Sequence, residues 1–236
     1  MSRTGAGLAV LAAAALIGLA AVGPIRQDPS YHRFADRRSL VGIPHFWNVV
    51  SNLPFAIAGG LGLVAVRRAR AGWERRAWQV LFASIGLTAV GSAYYHAAPD
   101  DTTLFFDRLP MAVAFTALVA IVAGGRVERM RTLWLPLVAA GAGSVVYWRM
   151  TDDLRLYVVA QFASIGAVLL LALATHPRGA RQLYFAIAWY GAAKAFEHFD
   201  GEIFRAASLL SGHTLKHLAE AVSAWWLVRM VQARTG

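Results

Sequence analysis

The chain of 236 residues contains no cysteine, which excludes disulfides and thiolate metal sites outright. Lysine is nearly absent, occurring only at Lys194 and Lys216. Charged residues make up 15% of the chain and hydrophobic residues 58%, too apolar a balance for a water-soluble domain with alternating faces. Short segments of dyad alternation, the mark of an outer-membrane barrel, are missing as well.

What remains is a series of apolar runs of bilayer-crossing length, at roughly 5–24, 46–66, 77–96, 105–125, 132–148, 154–174, 182–199 and 213–232. Runs of this length must satisfy their own backbone hydrogen bonds inside a bilayer, so they are expected to be helices. The expected fold is an all-α polytopic membrane bundle with eight crossings. Residues 1–24 read as an N-terminal transmembrane helix, 25–45 as an extracytoplasmic segment, and 46–236 as a seven-helix domain. Ala21-Val22-Gly23 also resembles a signal-peptide cleavage site, and either reading puts the following segment outside.

The formal net charge of +10 does not indicate nucleic acid, because the arginines sit in short connections between apolar runs. Arg67, Arg68, Arg70, Arg75 and Arg76, then Arg126, Arg129 and Arg131, then Arg178 and Arg181, occupy every second connection. Asp100-Asp101, Asp152-Asp153 and Asp200-Gly201-Glu202 occupy the connections between. The 25–45 segment breaks the pattern with Arg33, Arg37 and Arg38. The balance predicts both termini in the cytoplasm. The arginine, alanine and glycine content points to a GC-rich bacterial genome, hence to the inner membrane. Oligomeric state is not encoded in any pattern.

Ionisable groups in membrane spans are costly and mark functional sites by default. His96 closes the third run, Asp107 opens the fourth, and His213 and His217 open the last, so all four are expected at one outer face. His213 and His217 project from one helix face a turn apart, as do Ser92 and His96. A third imidazole from another helix completes three protein ligands with a fourth position for water, the usual catalytic zinc arrangement. Bland readings accompany each. Asp107 with Pro110 reads as a helix N-cap, and Ser92 as a small packing residue. Lys194 and Glu197 are spaced to neutralise each other. Glu220, three residues after His217, reads either as a group orienting a ligand or as a structural partner of Lys194. His45 and His198 read as structural.

Taken in order, Ser92-x3-His96, Asp107 in Phe106-Asp107-Arg108-Leu109-Pro110, and His213-x3-His217 resemble the alkaline ceramidase family. That family belongs to the superfamily that also holds the progestin and adipoQ receptors. Phe46-Trp47-Asn48-Val49-Val50-Ser51-Asn52-Leu53-Pro54 resembles the opening of the family's first core helix, and the likeness runs from about 45 to 232. It implies zinc on His96, His213 and His217, with Ser92 and Asp107 lining the reaction centre. The implied reaction is hydrolysis of a ceramide amide, or that of a related N-acyl membrane lipid, to an amine and a fatty acid. Eukaryotic members hold calcium through an acidic Asp-Trp-Cys-Glu segment and a Glu before Phe-Trp-Asn. Here that segment is missing and His45 stands at the Glu position. Asp28 and Asp36 are too few hard oxygen ligands, so no calcium site is expected. A zinc-containing receptor or scaffold would share the histidines without hydrolysis, a haem carrier would want axial histidines on facing helices, and a transporter would place its charges near the midplane.

Overall fold

The computed structural model describes residues 3–125 and 127–235. Among them there are ten α-helices and no strand. Helix α1 (Arg3–Ala21) is followed by a 3-10 turn (Pro29–His32), then α2 (Phe46–Val50), α3 (Leu53–Val66), α4 (Trp73–Ala97), α5 (Asp101–Gly124) and α6 (Met130–Thr151). Helices α7 (Arg155–Thr175), α8 (Ala180–His198), α9 (Asp200–Ala207) and α10 (Gly212–Thr235) complete the chain. The expected all-α polytopic bundle is present. Among the described residues, four spans, Phe46–Val66, Trp73–Ala97, Asp101–Gly124 and Arg155–Thr175, are long and apolar enough to cross a membrane.

The surface shows which solvent the bundle meets. Leu16, Ile17, Leu87, Val90, Leu135, Met150 and Leu173 are exposed, whereas His96, Asp107, Lys216 and His217 are buried. A soluble protein arranges these classes the other way round, and apolar side chains turned outward over long helices suit lipid.

Helices α3, α4, α5, α7, α8 and α10 form a ring, with α10 closing it against α3 and α8. Helix α6 packs outside α5 and α7, and α1 packs on α7. The end of α1 is tied down by polar groups. Arg155 donates to the carbonyls of Leu19 (2.9 Å) and Val22 (2.7 Å), satisfying acceptors that a helix terminus leaves orphaned. Asp153 accepts from Ile25 N at 3.3 Å and pairs with Arg155 at 2.8 Å. Those Arg155 hydrogen bonds hold the Asp153 carboxyl down at about 2, against the opposing pull of burial.

Three local details depart from the sequence expectations. The 46–66 run is broken into α2 and α3 at Ser51-Asn52, because Pro54 in the first turn of α3 has no N–H to continue the ladder. Pro54 leaves the Val50 carbonyl without its i+4 donor, and Asn52 N donates to the Val49 carbonyl at 3.3 Å, so the Asn48 carbonyl accepts instead from Asn52 Nδ2 (2.7 Å) and Ser51 Oγ (3.2 Å). Second, α5 begins at Asp101 with Asp100 as its N-cap, in a reciprocal capping box with Thr103. Asp107 is therefore inside the helix and is not the N-cap, and Pro110 lies inside the helix rather than in its first turn. Third, the connection after the seventh run contains the short amphipathic helix α9.

Candidate metal and hydrolase site

The site is built where α4 ends and α5 and α10 begin. The Nε2 atoms of His96 and His217 are 3.2 Å apart, and those of His96 and His213 are 3.3 Å apart. All three imidazoles are buried, with ligand atoms within 4.8 Å of one another, and the group can hold a metal ion. Nitrogens at 2.0–2.1 Å from a tetrahedral zinc stand about 3.3–3.4 Å apart, close to the separations found. The donor set, three imidazoles without thiolate, is likewise compatible with zinc.

The His217 imidazole is fixed from behind, whereas His96 Nδ1 is buried without a hydrogen-bond partner. Ser51 donates to the Asn48 carbonyl, so at 2.8 Å its oxygen accepts from His217 Nδ1. That assigns the proton of His217 to Nδ1 and turns the Nε2 lone pair toward the other rings. The break at Pro54 thus presents Ser51 to a metal-ligand candidate. On α10, the His213 amide donates to Asp200 Oδ1 at 2.7 Å, while Asp200 Oδ2 accepts from Ala35 N at 3.0 Å. Gly212 makes this junction possible, since a Cβ there would stand 2.2 Å from the Phe196 carbonyl oxygen.

Asp107 and Ser92 are both buried, on the facing helices α5 and α4. Gly91 brings them together: a Cβ at this position would lie 2.0 Å from the Phe106 carbonyl oxygen. Helices α4 and α5 therefore touch backbone to backbone beside the two side chains. The neighbouring Arg108 is buried against three rings, at 4.5 Å from Trp148, 4.9 Å from Tyr157 and 5.3 Å from Tyr31.

Lys194, Glu197 and Glu220 lie beside this centre. Lys194 pairs with Glu197 at 2.8 Å, and Lys216 with the other oxygen of Glu197 at 2.6 Å. Glu220 stands 3.8 Å from Lys194, and Ser51 occupies the orienting position at His217 Nδ1. His45 Nδ1 contacts the His96 carbonyl at 2.9 Å, and His198 packs edge-on against Phe199.

The 25–45 segment roofs the site. Phe34 is buried, with its ring 4.6 Å from that of His96 and 4.7 Å from that of His213. Arg38 secures the segment, pairing with Asp36 at 2.6 Å and donating to the carbonyls of Ser208 and Leu209. Burial disfavours the charged Asp36 carboxylate, but the Arg38 hydrogen bonds outweigh it and hold the carboxyl below its ordinary range. Asp28 caps the 3-10 turn through Ser30 N at 2.8 Å. Ser51, Asp200 and Phe34 escaped the sequence reading. Ser51 alone carried a signal, standing three residues before a proline in an otherwise apolar run.

Side chains this polar, buried at one end of a bundle with an apolar exterior, define an integral membrane protein with a metal-capable centre. Comparison with protein families supplies the rest. The family model described as Ceramidase matches residues 41–230, well over half of the chain, and the protein belongs to the ceramidase family. Membership implies a ceramidase-type amidohydrolase. No curated protein matches the chain.

Proposed function

We propose that the protein is a zinc-dependent membrane amidohydrolase that cleaves the amide of ceramide or a related N-acyl lipid, releasing a sphingoid or other amine and a fatty acid. The observation that carries this reading is the approach of His96 Nε2 to the Nε2 atoms of His217 and His213 at 3.2 and 3.3 Å, with all three ligand atoms within 4.8 Å and Ser92 and Asp107 buried on the adjoining helices. His96, His213 and His217 hold the ion. When bound, zinc supplies Lewis-acid chemistry, polarising a carbonyl and acidifying water to a pKa of about 7.

The chain's own groups do the remaining work. Asp107 takes a proton from the attacking water as its oxygen bonds to the amide carbon. It then delivers that proton to the nitrogen as the C–N bond breaks, leaving a carboxylic acid and an amine. The Ser92 hydroxyl, buried one turn before His96, donates to the developing oxyanion. Phe34 and the other rings of the roof limit the water reaching the site from the aqueous side. The alternation of basic and acidic connections favours a multi-pass protein of the bacterial inner membrane with its site at the extracytoplasmic face.

Fatty acid release from a panel of N-acyl lipids, ceramide included, tests the proposal together with bound-metal content. His217→Ala loses both metal and turnover. Asp107→Ala loses turnover by about 10²–10⁴-fold and keeps most of its metal. Stoichiometric zinc without hydrolysis of any lipid amide would instead make the chain a zinc-containing receptor or scaffold.

A further inference from the structure

A cavity of about 130 Å³ lies inside the helix ring, lined by Phe55, Thr88, Met111, Tyr190, Glu220 and other, mainly apolar, residues. Its upper lining stands about one helical turn deeper than the site on three helices. Thr88 precedes Ser92 by four residues, Met111 follows Asp107 by four, and Glu220 follows His217 by three. At 1.5 Å per residue the last offset is about 4.5 Å, a depth that a carbon chain covers in about three or four bonds. The cavity thus begins where a chain attached to the reacting carbonyl enters the bundle.

One wall group is anomalous. Glu220 Oε1 is buried and has no hydrogen-bond partner, and its nearest cation, Lys194 at 3.8 Å, is beyond hydrogen-bonding distance. A buried acceptor left unmade is costly. The surrounding charges show what it can accept from. Lys194, Lys216, Glu197 and Glu220 sum to zero, so a further cation would leave uncompensated charge in a low-dielectric site. A neutral donor would not. Tyr190, on the same cavity, accepts from Gln161 Nε2 at 2.9 Å, which leaves its own hydroxyl proton available to donate. An acceptor and a donor together suit a hydroxyl group.

Taking the amidohydrolase reading as its basis, we infer that this cavity selects N-acyl lipids whose acyl chain carries a hydroxyl near the carbonyl, at the β carbon or its neighbours, with Glu220 accepting its proton. A site built around a substrate hydroxyl discriminates more strongly than an apolar pocket does.

The test compares two amides of one amine, with a myristoyl or a β-hydroxymyristoyl chain, in wild type and in Glu220→Leu. The corresponding free fatty acids are titrated against both proteins in parallel. The wild type favours the hydroxylated amide by roughly 10–100-fold in kcat/KM, and the ratio falls toward one in Glu220→Leu. Glu220→Gln keeps the volume and one acceptor oxygen, so it retains a weakened preference; it serves if the leucine variant does not fold. Equal kcat/KM for the two amides in the wild type would overturn the inference, as would a preference undiminished in Glu220→Leu. If neither amide is cut but the β-hydroxy acid binds more tightly to wild type than to Glu220→Leu, the hydrolase reading falls and the cavity assignment stands.

Discussion

Replacing Ser51 by alanine isolates the contribution of one hydroxyl to metal binding. In the intact site Ser51 accepts the His217 Nδ1 proton at 2.8 Å, and both residues are buried. Alanine leaves that N–H without a partner, a loss of about 1–3 kcal/mol for a buried donor. The metal-free protein has an escape. Its imidazole can move the proton to Nε2, which lies 3.2 Å from His96 Nε2, and regain a hydrogen bond there. Metal binding must then reverse the tautomer and leave Nδ1–H unpaired, so nearly the whole loss falls on the bound state. Zinc affinity should drop about 10–100-fold, the range found when the group behind a ligating histidine is removed. Competition titration against a chromophoric chelator measures this directly, with Ser51→Thr, which keeps the hydroxyl, as the control. A Ser51→Ala protein that folds and binds zinc within about twofold of wild type would refute the orienting role.

Gly91→Ala forces the 2.0 Å approach to Phe106 O open to an ordinary contact; a displacement of that size at Asp107 should cost about 10²-fold in turnover, with metal content retained, as parallel kinetics and metal analysis will show. Asp200→Ala removes the acceptor of both His213 N and Ala35 N, so zinc affinity should fall and hydrogen exchange at Ala35 should accelerate together. Glu197→Gln strands the buried Lys216 and its neighbour Lys194, a loss of about 3–5 kcal/mol readable in thermal unfolding in detergent. The Asp153 carboxyl titrates at about 2 in the fold and at about 3.9 when unfolded. Its contribution to holding the end of α1 is therefore complete above about 4 and lost as pH falls toward about 2, which exchange at Val22 and Ile25 will report.

Much of this site was legible because its chemistry is local in sequence. A spacing of four puts two imidazoles on one helix face wherever the helix lies, and alternating crossings bring His96 to the same end as His213. Asp107 was placed about two turns too near its helix start, because the apolar run begins later than the helix. The Asp100–Thr103 capping box lies in the polar stretch ahead of that run. Helix α9 was missed for a related reason: an eight-residue amphipathic helix leaves no mark on a search for long apolar runs. Ser51, Asp200 and Phe34 act across the fold, on His217, His213 and the ring of imidazoles. Nothing in their own neighbourhood announces partners so distant in the chain. Of the two readings of Glu220, Ser51 occupies the orienting position at His217, and Lys194 stands 3.8 Å from its carboxylate.

The most direct measurement is X-ray absorption at the zinc edge of the purified, zinc-loaded protein, alongside metal content in the His96→Ala, His213→Ala and His217→Ala variants. Coordination by imidazole requires one zinc per chain with nitrogen or oxygen neighbours at about 2.0–2.1 Å, and loss of that zinc from each variant. Zinc that remains after any of these substitutions, or a wild-type protein that takes up none, would contradict the account.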